Sequence, residues 1–175
     1  MIIEEGYNQK VPPITTVSSK NHSVVPVPVN VSIQLYKIVG MEETSHSIEF
    51  QFKILLEWMD NRVTYQNLKM ISSLNSLTDE EISMIWLPLI IYYNTDQRET
   101  TRLGEHGNGE WDTDVDVTMY GDFTRSSLVE VDEKEIFRGD QNKITMRQVY
   151  SKKFQCQYNL ERYPFDIQVG QVCNI

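Results

Sequence analysis

Between residues 29 and 58 apolar and polar side chains alternate almost without a break. Val29, Val31, Ile33 and Leu35 share one face of the first run, and Asn30, Ser32, Gln34 and Tyr36 share the other. Such a period of two predicts a half-buried β-strand, because successive side chains of an extended chain point to opposite sides. Gly40, followed by Glu42, Glu43 and Ser45, is expected to begin a polar turn. The second run is the strongest periodic signal in the chain. Ile48, Phe50, Phe52, Ile54, Leu56 and Trp58 fall on one face, against Glu49, Gln51, Lys53, Leu55 and Glu57 on the other. Two such strands joined by a short polar turn predict an antiparallel hairpin. Phe50, Phe52 and Trp58 mark its core side.

Weaker signals fill the rest. Residues 1–27, with Pro12-Pro13, a Thr/Ser run and Pro26, read as an irregular N-terminal segment. Thr78-Asp79-Glu80-Glu81 is a capping box, so one or two helical turns are expected before Trp86-Leu87-Pro88 ends them. Ile90 to Tyr93 reads as a short strand, Asn94-Thr95-Asp96 as its turn, and residues 97–110 as a polar, glycine-rich loop. Alternation resumes at Trp111: Thr113, Val115, Val117 and Met119 continue one face, while Asp112, Asp114, Asp116 and Thr118 form a face expected to be solvated. Further strands are expected over residues 128–138, 142–150 and 152–160. Many short strands with almost no helix predict an all-β sandwich, with residues 28–175 as the domain.

Composition narrows the function. The chain has 175 residues, 25 acids against 16 Lys and Arg, and a net charge of −9. Without a basic block a nucleic-acid backbone is not an expected partner. The longest apolar run, Ile85 to Tyr93, is interrupted by Pro88 and falls short of the roughly 18 residues that span a bilayer. The two cysteines, Cys156 and Cys173, fit either one disulfide in an oxidising compartment, contributing about 3 kcal/mol, or a pair of free thiols. The sequons Asn21-His22-Ser23 and Asn30-Val31-Ser32 suit an exported protein, yet Met1-Ile-Ile-Glu-Glu has neither the basic nor the apolar region of a signal peptide.

Catalytic chemistry finds little support. Asp112-Thr-Asp-Val-Asp116 begins like a calcium loop, but Val117 and Phe123 stand where glycine and glutamate are required. The glycines of Gly104 to Gly109 are in the wrong order for a dinucleotide turn. His22, His46 and His106 have no second ligand at metal spacing and no nucleophile beside them. No metal, no cofactor and no enzymatic activity are expected.

Four stretches in chain order carry a family resemblance. Pro28-Val-Asn-Val-Ser-Ile is similar to the first long strand of the Cys-loop, pentameric ligand-gated ion channel family, and Phe52 to Trp58-Met59-Asp60 to its second, which ends in Trp-x-Asp. Trp86-Leu87-Pro88-Leu89 resembles the Trp-x-Pro-Asp of binding loop A, and Cys156 through Asp166 resembles the disulfide loop. The likeness covers roughly residues 25–175. It implies an immunoglobulin-like β-sandwich, C-terminally incomplete, on the extracellular side of the plasma membrane. It also implies a homo- or hetero-pentamer of homologous subunits, a small neurotransmitter-like ligand between them, and a Cys156–Cys173 disulfide. Tyr163, Pro164, Phe165 and Asp166 would then form the loop that couples binding to gating. Asn94-Thr-Asp-Gln-Arg and Gly121-Asp-Phe-Thr-Arg have the texture of an invertebrate member.

The resemblance also transfers a ligand-facing set. Tyr93, seven residues after Trp86, stands at the loop A tyrosine, although Leu89 replaces the aspartate after the proline. Lys53 occupies the normally aromatic loop D position, and Leu55 a position that carries arginine in receptors for glycine and GABA. Thr145 and Arg147 take loop E positions, and Phe137 completes the set. Lys53 removes a cation–π wall and, with Arg147, is expected to make this half of the pocket cationic, favouring an anionic or zwitterionic ligand over a choline-like cation. The family continues beyond the disulfide loop with binding loops B, F and C and four transmembrane helices, whereas this sequence stops at Ile175. A sandwich without its final strands is expected to leave edges and apolar surface uncovered. Sixteen residues separate Cys156 from Cys173, with Val169-Gly170-Gln171 looking like an insertion. A soluble module like the acetylcholine-binding proteins and an inactive truncated form are the alternatives to a receptor subunit.

Overall fold

The computed structural model describes residues 1–16, 24–42, 44–92, 95, 100–102, 111–120 and 135–155. Tyr93, Asn21 and the whole of residues 156–175, with both cysteines and the Tyr163–Asp166 loop, lie outside the described residues. The strands are β1 (Ile2–Ile3), β2 (Ile14–Thr16), β3 (Val24–Pro26), β4 (Asn30–Glu42), β5 (Ser47–Trp58) and β6 (Val63–Gln66), followed by helix α1 (Asp79–Met84). After it come β7 (Leu89–Ile91), β8 (Thr100–Arg102), β9 (Trp111–Thr118), β10 (Ile136–Arg138) and β11 (Lys143–Gln155). A four-stranded antiparallel sheet of order β4-β5-β11-β9 dominates, with a smaller β1-β6-β10 sheet and the pairs β2-β3 and β7-β8. The expected all-β sandwich is the architecture of the chain.

The period-two pattern of β5 sets the core. Phe52, Ile54, Leu56 and Trp58 are buried, and the register with β11 runs unbroken from Ser47 opposite Gln155 to Trp58 opposite Ile144. That register places Ile144, Met146 and Tyr150 on the same inner face, joined from β9 by Val115 and Val117. As far as Gln155 the strands expected at 142–150 and 152–160 are therefore one strand, and residues 156–160 lie outside the described residues. Ser151-Lys152-Lys153 contains no breaker and stays paired with Gln51, Phe50 and Glu49. Buried Val63, Tyr65 and Leu68 and the segment after α1 lie against this face, with the Trp86 ring edge-on to Trp58 at 6.1 Å and 88°. The capping box of α1 forms as expected, Glu81 N donating to Thr78 Oγ1 at 3.3 Å and Thr78 N to Glu81 Oε2 at 3.0 Å.

Two expectations for β4 need correction. Gly40 does not open the turn: the strand continues to Glu42, absorbing irregularity as register shifts between Leu35 and Lys37 and between Ile38 and Gly40. Nor is the strand half-buried. Val31, Ile33, Leu35 and Met41 remain 52–58% exposed, because β4 is an edge strand and no described element packs over its core-side row.

The N-terminal segment is tied down by a polar cluster. Tyr7 donates from its hydroxyl to Asp60 Oδ2 at 2.9 Å and accepts from the backbone N–H of Trp86 at 2.6 Å. Arg62 forks onto Asp60 (Nε to Oδ1 2.8 Å, Nη2 to Oδ2 2.7 Å), lies over the Tyr7 ring at 4.3 Å and donates to the Val11 carbonyl. Asp60 is fully buried, and these partners offset the desolvation of its carboxylate. Tyr7→Phe removes one oxygen and leaves the Trp86 N–H and an Asp60 oxygen short of a partner. Urea denaturation is expected to show a loss of about 1–3 kcal/mol; an unchanged midpoint would show that water replaces the hydroxyl without cost. Burial pushes the Tyr7 hydroxyl up from 10.0 to about 12. Its folded value lies above its unfolded one, so this contribution is complete below pH 10.0 and fades as pH rises toward about 12. The Phe variant should show a shallower alkaline loss.

Candidate ligand-binding face

Strand register decides which site residues meet. On β5, Lys53, Leu55 and Glu57 point away from the core, and on β11 Thr145, Arg147 and Val149 share that outer side. Arg147 lies directly opposite Leu55, and Val149 opposite Lys53. Lys53 and Arg147 are thus diagonal neighbours, a relation that typically separates backbones by about 7–8 Å. Asn30, exposed at the start of β4, pairs with Glu57 on the same side.

The outer face is wired by charge. Arg147 Nη1 donates to Asp116 Oδ2, across from β11 to β9. Lys143 pairs with Glu57 at 3.2 Å, Ser151 Oγ donates to Glu49 at 2.7 Å, and Lys153 reaches Glu42 at 2.7 Å. Among the described residues Lys53, near the middle of the sheet, enters no ion pair. Two polar atoms beside Arg147 have no hydrogen-bond partner: Asp116 Oδ1 and Thr145 Oγ1, on residues only 4% and 3% exposed. These residues face each other across the β9–β11 register.

Asp116 corrects the expectation of a solvated acidic face. It points outward as its alternation requires, but it is buried, and Arg147 supplies its ion-pair partner there. The expected cationic pair is also altered, since the Arg147 charge is matched by Asp116 and the Lys53 charge is not. Alternation places Asp116 on one face of its strand, but nothing local to it indicates that β11 is the neighbour.

The other transferred residues lie elsewhere. Phe137 sits on β10, opposite Tyr65 of β6, and packs half-buried against the core rather than beside Lys53. Leu89 opens β7 and is exposed. No group of three or more potential metal ligands occurs among the described residues.

Residues 2–175 match the family described as the neurotransmitter-gated ion-channel ligand binding domain. Among curated proteins, none matches the chain. The family is one of ligand-binding domains of channels and not of enzymes. A family match over nearly the whole sequence, on a chain folded as an antiparallel β-sandwich, places this protein in the neurotransmitter-gated ion-channel ligand-binding domain family.

Proposed function

We propose that the chain is the extracellular ligand-binding region of a pentameric ligand-gated channel subunit. Its outer face forms one wall of a pocket between neighbouring subunits, with Lys53 and Leu55 toward the ligand and Thr145 and Arg147 on the adjoining strand behind them, and its ligand carries a carboxylate. The observation that carries this reading is Lys53, which among the described residues stands mid-sheet outside any ion pair, while Arg147, Lys143 and Lys153 are each matched by an acid. An unmatched ammonium in a partly covered position favours an anionic or zwitterionic partner through charge-assisted hydrogen bonds.

In this role Tyr93 supplies the aromatic side chain of loop A and Phe137 supports the wall from the neighbouring sheet. The loop at Tyr163, Pro164, Phe165 and Asp166, closed by Cys156 and Cys173, passes the binding signal to the pore. Asn21 and Asn30 carry glycans on the extracellular side of the plasma membrane, and homologous subunits complete the ring.

Titration with sodium glutamate and with tetramethylammonium chloride, at constant ionic strength, tests the charge preference. The wild-type chain is expected to favour glutamate, and Lys53→Trp to weaken glutamate binding by about tenfold or more while improving binding of the cation. An unchanged order of preference in the Trp variant would remove Lys53 from the site.

A further inference from the structure

We propose that Asp116 is a specificity-determining residue of the outer face: it holds Arg147 away from the ligand and leaves Lys53 as the cation that selects it. This rests on the ligand-binding role proposed for that face. The asymmetry of the pair is the first argument. The Asp116 side chain is 6% exposed and that of Arg147 30%, so the carboxylate is the desolvated member and cannot give up its partner cheaply. A ligand carboxylate competing for Arg147 would strand the buried Asp116 and meet its negative charge at close range. Lys53 carries no such obligation.

The orphaned atoms are the second argument. Asp116 Oδ1 and Thr145 Oγ1 are buried without partners, on side chains that the register sets face to face. Both atoms are covered and out of a ligand's reach, but they leave an uncompensated acceptor beside Arg147 that opposes a ligand carboxylate there. The charges of the Asp116–Arg147 and Glu57–Lys143 pairs cancel, whereas among the described residues Lys53 enters no ion pair, and the ligand class this fits is an anion or a zwitterion whose carboxylate lies toward Lys53.

Asp116→Asn keeps the shape of the side chain and removes the charge paired with Arg147; Asp114, exposed and directly opposite Arg147 in the register, enters no ion pair among the described residues. Calorimetric titration of the full chain with sodium glutamate at constant ionic strength is expected to show about tenfold tighter binding than wild type. Tetramethylammonium binding should stay equal or weaken. The double variant Asp116→Asn/Arg147→Gln should return to the wild-type glutamate affinity, because the gain passes through the released guanidinium. An unchanged affinity in Asp116→Asn, or a gain that persists in the double variant, overturns the proposal. Arg147→Lys keeps a cation against Asp116 and tests the same point without exposing a buried charge. Glutamate binding within about twofold of wild type supports the proposal, and a loss of tenfold or more shows that Arg147 contacts the ligand and overturns it. If wild type and every variant fail to bind glutamate, the ligand-face reading itself fails. If wild type binds and Lys53→Trp weakens it while Asp116→Asn changes nothing, that reading stands and the role of Asp116 falls.

Discussion

Gly139→Ala is expected to destabilise the chain by about 3 kcal/mol or more. A Cβ at this position would stand 2.1 Å from the Asp60 carbonyl oxygen and 2.6 Å from that of Val63. Both atoms belong to the backbone, so no side-chain rotation relieves the overlap. The Gly139 N–H also donates to the Val63 carbonyl at 2.9 Å, and this contact draws the turn after β10 onto the start of β6. The same short stretch holds Asp60, whose carboxylate anchors Arg62 and Tyr7. A backbone shift that accommodates alanine would therefore loosen both the β6–β10 pairing and the N-terminal polar cluster. For a domain of this size the melting temperature should fall by roughly 6–12 °C. A fall of less than about 2 °C would show that the two segments separate without cost.

Trp58→Ala should cost about 3–5 kcal/mol, the range for emptying a buried aromatic site. Trp58 is 1% exposed, ends the strand that defines the core, and meets the edge of Trp86 at 6.1 Å. Its removal opens a cavity between the large sheet and the Trp86-Leu87-Pro88 segment. Trp58→Phe separates packing from polarity. The indole Nε1 is buried without a hydrogen-bond partner, so phenylalanine gives up no bond and relieves an unsatisfied donor while losing part of the ring volume. Its penalty is expected to be less than half that of alanine in urea denaturation. Equal penalties for the two variants would show that Nε1 has a partner in solution and that the site is held by it.

The Lys53 and Asp116 experiments address a different property. Both lie on the outward row of the sheet, where substitution changes charge with little change to the core. Their effects should appear in the choice between glutamate and tetramethylammonium. Stability effects are expected to be smaller than those at Gly139 and Trp58.

Alternation along the chain was enough to place Phe52, Ile54, Leu56 and Trp58 inside and Lys53 and Leu55 outside, and to place Val115 and Val117 opposite Asp116. The reason is local: an extended backbone turns successive side chains to opposite sides whatever its neighbours are. The capping box at Thr78 and Glu81 was legible for the same reason, as both partners lie within one helical turn. The ordered motifs from Pro28 to Asp166 likewise sufficed to indicate the family.

What covers a face, and what sits beside a residue, depends on pairings distant in sequence. Val31, Ile33 and Leu35 alternate as regularly as the residues of β5, yet they are exposed because no described element packs over that row of the edge strand β4. Arg147 reaches Asp116 across 31 positions, and Tyr7 reaches Trp86 across 79. The need for glycine at 139 arises from backbone atoms of residues 60 and 63. Periodicity by itself placed the main strands and their inner and outer rows. Only the tertiary structure decided that Arg147 is neutralised and Lys53 is not, because ion pairing follows strand order, and strand order is set by long-range contacts that no local pattern encodes.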